Sequence, residues 1–409
     1  MKGWRDIKLK DVSEYVTVGY VGSMADQYVE SGVPFLRSLN IQPFQLNYND
    51  LKYIPDSFHD SIKKSQLRPG DVAIVRTGYP GTACVIPREL PDANCSDLVI
   101  LRPGPELNPH FVAAVFNSSF GRSLVGGNLV GAAQQHFNVT VAKELKLLLP
   151  QRAEQDKIAA VLVGLNDLIA NNQRRIALLE SMAEEIYREW FVRMRFPGAP
   201  YGLSRNNPPA DWALVELPRL ASITYGFPFV GERFTDTAIG KKIIRIRDVL
   251  TGDSSTYTDE VADEKYVVRA GDLLIGMDGE FHMNHWIAED AYLVQRTCRV
   301  KPNQERLRAY LALALKAPIS HYQQIIVGAT VGHLGAKHLN AIKLLVPSED
   351  LNQCLDTLNR LLDQRILLSK QNLRLAKTRN TLLPRLISGK LRVDQLDIQY
   401  PLGMLAEMG

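Results

Sequence analysis

The chain contains one segment order twice. Pro69-Gly70-Asp71-Val72-Ala73-Ile74-Val75-Arg76-Thr77-Gly78 returns as Ala270-Gly271-Asp272-Leu273-Leu274-Ile275-Gly276-Met277-Asp278-Gly279, an offset of 201 (271 − 70). Val141-Ala142-Lys143-Glu144-Leu145-Lys146-Leu147-Leu148-Leu149-Pro150 returns as His338-Leu339-Asn340-Ala341-Ile342-Lys343-Leu344-Leu345-Val346-Pro347, an offset of 197 (347 − 150). Trp4 precedes Leu9-Lys10-Asp11-Val12 as Trp212 precedes Val215-Glu216-Leu217. Three matches in one order at nearly constant offset indicate duplication, which restricts the fold to two copies of one architecture. A length of 409 residues suits two or three ordinary domains.

After each repeated Leu-Leu-x-Pro a long helix is expected. Ile158, Leu162, Leu165, Ile169, Asn172, Ile176, Leu179, Ala183, Ile186 and Trp190 alternate four and three apart, the spacing of a coiled-coil seam. Asn172 alone breaks the apolar stripe, and a single polar seam residue commonly fixes register. Leu355, Leu358, Leu362, Ile366, Ser369, Leu373, Ala376, Leu383 and Ile387 form a second, looser stripe. Pro197-Gly198 and Pro384 read as stop signals. At 1.5 Å per residue, a helix from about Ala153 to Arg195 would run roughly 60 Å. Two such helices pairing antiparallel would form a spacer between the globular halves; the alternative is two separate helices, each lying on its own domain.

The halves read as mixed. Val72–Val75, Leu98–Leu101, Leu273–Ile275 and Cys298–Val300 look like short strands, and Phe111–Phe116 and Leu307–Leu315 like short helices. The fold class is therefore α+β. It has two mixed α/β domains, 1–150 and 197–349 (the latter opening on a linker, 197–211). A central helix at 151–196, a distal helix at 350–392 and a tail at 393–409 complete the chain, with a pseudo-twofold internal repeat.

A hydrophobic fraction of 45% with 22% charged residues belongs to a globular protein with real cores. No apolar run reaches the roughly 20 residues that span a bilayer. Met1-Lys2-Gly3-Trp4-Arg5-Asp6 lacks the apolar stretch of a secretion signal, so a cytoplasmic protein is expected. Cys84, Cys95, Cys298 and Cys354 are scattered and are expected as free thiols; the sequons at Asn117 and Asn138 then carry no meaning. The net charge of +4 is too small to identify a nucleic-acid binder. Its distribution is more telling: residues 352–390 hold eight Lys/Arg against Asp356 and Asp363. That suits a polyanion or an acidic partner, or simply a solvated helix face.

The aromatic-led start Trp4-Arg5-Asp6-Ile7-Lys8-Leu9 and the Gly70-Asp71-Val72 and Gly271-Asp272-Leu273 strands carry a resemblance. So do Gln151-Arg152-Ala153-Glu154-Gln155-Asp156-Lys157-Ile158 after Pro150, and Leu382-Leu383-Pro384-Arg385-Leu386-Ile387-Ser388-Gly389-Lys390-Leu391. Over essentially its whole length the chain resembles the specificity subunit of type I restriction-modification systems. The second junction, Pro347-Ser348-Glu349-Asp350-Leu351-Asn352-Gln353, departs from the pattern by lacking the Glu-Gln pair.

The resemblance implies a bacterial or archaeal subunit that performs no chemistry. Its two target recognition domains would each read half of an asymmetric bipartite site on double-stranded DNA. Its helices would set the gap and dock two methyltransferase subunits, with restriction subunits completing the nuclease. S-adenosylmethionine, ATP and Mg would belong to those partners. Two other readings remain open at this point, a self-contained DNA modification enzyme and a structural coiled-coil adaptor.

The residues themselves offer little chemistry. Asn207-Pro208-Pro209 starts like the amino-methyltransferase motif, but Ala210 stands where an aromatic must stack on the flipped base. No Gly-rich nucleotide loop is present. His282 and His285, and His333 and His338, have no third ligand at a metal-binding spacing, so no metal is expected. DNA reading must come from polar side chains on loops, because base edges are told apart by such groups. The base-contact candidates are Arg76, Thr77, Tyr79, Gln134, Gln135 and His136 in the first half. In the second half they are Asp278, Glu280, His282, Asn284, His285, His333, Lys337 and His338. Arg37, Lys63, Lys64, Lys241, Arg245 and Arg247 are candidates for phosphate contacts, which position rather than specify.

Overall fold

A computed structural model describes residues 3–128, 136–326 and 332–404. Two compact units divide the chain, and each long helix contributes to both. The first comprises Met1–Ile169 with Leu375–Gly409, the second Ala170–Arg374.

The first unit is built on an antiparallel sheet in the order Ser13–Val18, Leu98–Pro103, Val72–Val75, Ala83–Val85. Every residue of Val72–Val75 is buried because both faces of the strand are covered. Successive side chains point to opposite faces. Val72 and Ile74 accordingly enter the core beneath helix Pro109–Asn117, while Ala73 and Val75 face a smaller cluster with Leu36, Leu67 and Cys95. That cluster belongs to a second sheet, Lys52–Ile54, Val33–Leu36, Ala93–Cys95, Gln66–Leu67, whose central pair is parallel. A separate ribbon pairs Arg5–Lys8 with Lys146–Leu149, delivering the chain directly to Pro150 and the central helix.

The second unit repeats this plan. Its main sheet runs Ala221–Tyr225, Thr297–Pro302, Leu273–Gly276, Met283–His285. Its second sheet again contains one parallel pair, Lys241–Ile244 beside Ala291–Leu293. Ala213–Glu216 and Lys343–Val346 form the closing ribbon. The repetition reaches single hydrogen bonds. Asp71 accepts from the Arg68 amide at 2.8 Å and pairs with Arg102 at 2.7 Å; Asp272 accepts from the Arg269 amide at 2.8 Å and meets Arg299 at 3.5 Å. Arg37 donates its amide to Asn40 as Arg245 does to Asp248.

The central helix is α-helical over Arg152–Tyr187 and ends in a π-helical turn, Arg188–Val192. The distal helix runs Asn352–Ile387. They pack antiparallel. In the first unit Arg379 donates to Asn166 (2.9 Å); in the second Asn172 donates to Asn372 (3.0 Å) and Arg365 to Glu180 (2.7 Å), so numbers fall along one helix as they rise along the other. Each unit's core takes in parts of both helices, Ile158 and Leu162 with Leu383 and Leu386 in the first, Phe191 with Leu355 and Leu358 in the second. This removes the alternative of two helices lying separately on their own domains. Of the seam residues, Ile158, Leu162, Asn172, Leu355, Leu358, Leu362 and Ile366 are buried, whereas Leu165, Ile169, Ile176, Leu179 and Ile186 are half-buried.

One feature differs from the sequence expectation. Pro384 does not stop the distal helix but lies inside it, three residues before its end, so the one bond that its missing N–H forfeits falls in the last turn. The tail is packed: Val393 joins the first unit's core, and Met404 packs on Ala159 and Ala160 of the central helix. No helix among the described residues is long and apolar enough to cross a membrane. The four cysteines are free and buried, and burial pushes the Cys298 thiol up to about 12.

Candidate nucleic-acid interface

In each unit three loop segments gather at the C-terminal end of the strand that follows the Gly-Asp turn. In the first unit Val72–Val75 runs into a hairpin loop that Gly78 turns at φ +81°, a conformation costly for other residues. Asp97, itself at φ +53°, enters the neighbouring strand. Phe137 closes the group, donating its amide to the Arg76 carbonyl at 3.0 Å. In the second unit Gly279 turns the hairpin at φ +68°, Arg296 enters the neighbouring strand at φ +68°, and the Leu334 amide meets the Met277 carbonyl at 2.7 Å.

The backbone is repeated and the side chains are not. Thr77 bonds Asp97, and Arg76 sits 3.4 Å from the same carboxylate. At the equivalent places stand Asp278 and Arg296, paired at 2.8 Å, with His333 on Asp278 at 2.5 Å. The acid therefore lies on the strand-entry loop in one unit and on the hairpin in the other. Asp97 and Arg296 were missed by sequence reasoning. Aligning Leu98–Leu101 with Thr297–Val300, both of which pair with the Gly-Asp strand, sets them opposite each other.

The candidates separate by what already holds them. Tyr79 is 84% exposed, and Lys337 is exposed. Glu280 is exposed with His282 beside it at 3.3 Å, and His333 is exposed beyond its bond to Asp278. Arg76 donates to the Phe137 carbonyl (3.1 Å) and is mostly covered, so it shapes the loop more than it faces solvent. His338 accepts from the Gly335 amide at 3.0 Å and lies tilted against the Tyr322 ring, and His136 is half-buried. Gln134 and Gln135 lie outside the described residues.

Asn284 and His285 depart from expectation. They lie on strand Met283–His285, not on a loop, and they face the distal helix: Asn284 accepts from Arg365 at 2.6 Å, and His285 is buried against the same guanidinium. Side chains held there are not free to reach base edges.

Among the phosphate candidates, Lys63, Lys64 and Arg247 are exposed, and Lys241 lies over the Tyr292 ring at 4.9 Å. Arg37 and Arg245 are turned inward. Arg37 bonds Asp50 at 2.8 Å, and Lys52 together with Arg37 holds that carboxyl down to about 2; Arg245 bonds Thr256. Both are framework residues at the same place in the repeat.

No group of three or more His, Cys, Asp or Glu side chains is placed to share a metal among the described residues. Asn207-Pro208-Pro209 forms a linker turn in which the Asn207 amide donates to Ser204 and Pro209 receives the Trp212 amide.

No family model matches the chain. Over 187 residues the chain is 31% identical to the type I restriction enzyme EcoBI specificity subunit of Escherichia coli, and it spans about a third of that protein's length; the aligned part is 46% of this chain and 35% of that protein. The type I restriction enzyme MjaIX specificity subunit of Methanocaldococcus jannaschii is 23% identical over 97% of this chain and 95% of its own length. The crystal structure of a type I restriction-modification S subunit from M. genitalium shares the fold, with a TM-score of 0.58 at 14% identity over 94% of this chain and 96% of that one.

Proposed function

We propose that the chain is a specificity subunit of a type I restriction-modification system, a non-catalytic component, as its similarity to such subunits supports, and that each unit reads one half of an asymmetric bipartite site on double-stranded DNA. The observation that carries this reading is the repeated loop group with exchanged side chains. Thr77 and Asp97 in one unit occupy the places of Asp278 and Arg296 in the other. Base edges in the major groove present different donors and acceptors, so two surfaces with the same backbone and different polar groups suit two different half-sites. Tyr79, Glu280, His333 and Lys337 are the exposed members of that surface, with Lys63, Lys64 and Arg247 available for phosphates.

The paired helices would set the number of unread base pairs and dock two methyltransferase subunits. Restriction subunits would join that assembly in the cytoplasm. S-adenosylmethionine, ATP and Mg would be bound by those partners, with the target adenine flipped from the duplex into a partner's pocket.

Incubating the purified chain with DNA and labelled S-adenosylmethionine, alone and with its methyltransferase partner, tests the division of labour. Methyl transfer is expected only in the mixture. Transfer by the chain alone would instead establish a self-contained enzyme.

A further inference from the structure

Arg296 enters strand Thr297–Pro302 at φ +68°, a conformation uncommon for any residue but glycine. Such strain persists where the surrounding structure demands that placement, and it clusters at functional sites. The side chain delivered there is 64% exposed, and its partner among the described residues is Asp278, with Nη1 on Oδ2 at 2.8 Å. Asp278 is only 11% exposed and holds His333 Nδ1 through its other oxygen. A nearly covered carboxylate thus fixes one corner of a solvent-facing guanidinium, and the rest of the planar donor fork stays open.

An exposed arginine on a loop can meet a phosphate or a base edge, and two observations separate the two. Asp278 already answers its charge, which weakens its pull on a phosphate more than its hydrogen bonding to an uncharged base. The repeat supplies the second observation. Leu98 pairs with Val75 as Thr297 pairs with Gly276, so Asp97 stands at the place of Arg296, also at positive φ and with its side chain 43% exposed. A carboxylate is repelled by a phosphate. Base edges, in contrast, present acceptors on some bases and amino donors on others, so they suit a place that holds a cation in one copy and an anion in the other. Ion pairs of the frame behave differently: Asp71 with Arg102 and Asp272 with Arg299 keep their residue types in both units and are mostly covered.

We propose that Arg296 is a specificity-determining residue of the second unit and reads a guanine through its O6 and N7. This rests on the reading of each unit as recognising one half-site. The paired N–H groups of a guanidinium match those two acceptors. Adenine places an amino donor where guanine has O6, cytosine offers an amino donor, and thymine a single acceptor beside a methyl group.

The test uses the full chain with its methyltransferase partner and maps methylated adenines genome-wide for the parent, Arg296→Ala and Arg296→Gln. The second unit's half-site is the one left unchanged when residues 1–150 are exchanged for another such domain. One of its positions is expected to be guanine in every methylated site. Arg296→Ala should lower the preference for that guanine over other bases about tenfold, and should leave the other positions, the first half and the spacer as they were. Arg296→Gln should move the preference at that position toward adenine, whose N6 and N7 a glutamine matches. Neither misfolding nor a lost phosphate contact produces a change of base at one position. Guanine reading by Arg296 is overturned if that half-site holds no guanine, if both variants keep the parent's preference, or if they weaken methylation at every site alike. A parent chain that methylates no bipartite site would remove the underlying half-site reading, and the role of Arg296 with it.

Discussion

An aspartate only 1% exposed persists in a core when every lone pair facing the protein is answered. Asp71 meets that condition through the Arg68 amide and two Arg102 nitrogens, at 2.7–2.8 Å. Removing Asp71 leaves the half-buried Arg102 guanidinium and the Arg68 amide without their acceptor, so Asp71→Ala should cost roughly 2–3 kcal/mol in urea unfolding. Asp272→Ala should cost less, because the Arg299 contact is 3.5 Å and its carboxylate is more open. His285 makes a different prediction. Its folded pKa of about 3 lies below the ordinary 6.5, so the unfolded chain binds the extra proton. The stability at stake is fully present above pH 6.5 and is lost as pH falls from there toward 3, by roughly 2 kcal/mol at pH 5. Unfolding at pH 7.5 and pH 5 should show that loss in the parent chain and a flatter response in His285→Val. An equal slope in both would contradict the assignment.

Among elements, the two helix junctions show how one task is met by different sequence. Gln155 is fully buried at the start of the central helix, accepting from the Asn108 amide at 3.0 Å and donating to the carbonyls of Glu106 and Pro150. The second junction lacks the Glu-Gln pair, and Asn359, further along the distal helix, accepts from the Ala309 amide at 3.0 Å and donates to the Arg306 carbonyl. Gln155→Ala and Asn359→Ala should therefore destabilise alike, by about 2 kcal/mol each in thermal or urea unfolding. A silent Asn359→Ala would mean that the second junction is held by something else. The repeat and both long helices were legible in sequence because apolar spacing persists over ten turns and the Gly-Asp and Leu-Pro segments recur. The second sheets were not, since strands such as Ala93–Cys95 and Val267–Val268 are only three and two residues long, too short for any period to emerge. The candidate interface was legible in part. The hairpin residues follow directly from the Gly-Asp strand, whereas Asn284 and His285 looked like loop residues until the register of Leu273 with His285 turned them toward the distal helix.

At the scale of the whole molecule, duplication separates frame from reading surface. The sheets, the Asp-Arg pairs and the closing ribbons are common to both units, while the groups on the loops have been exchanged. If that division is functional, the first unit can be replaced without disturbing what the second reads. Exchanging residues 1–150 for the corresponding domain of another specificity subunit, and mapping methylated adenines genome-wide with the partner subunits present, tests this directly. The expected outcome is a bipartite site in which one half changes, while the other half and the spacer stay as they were. An unchanged site, or a change in both halves at once, would contradict the account.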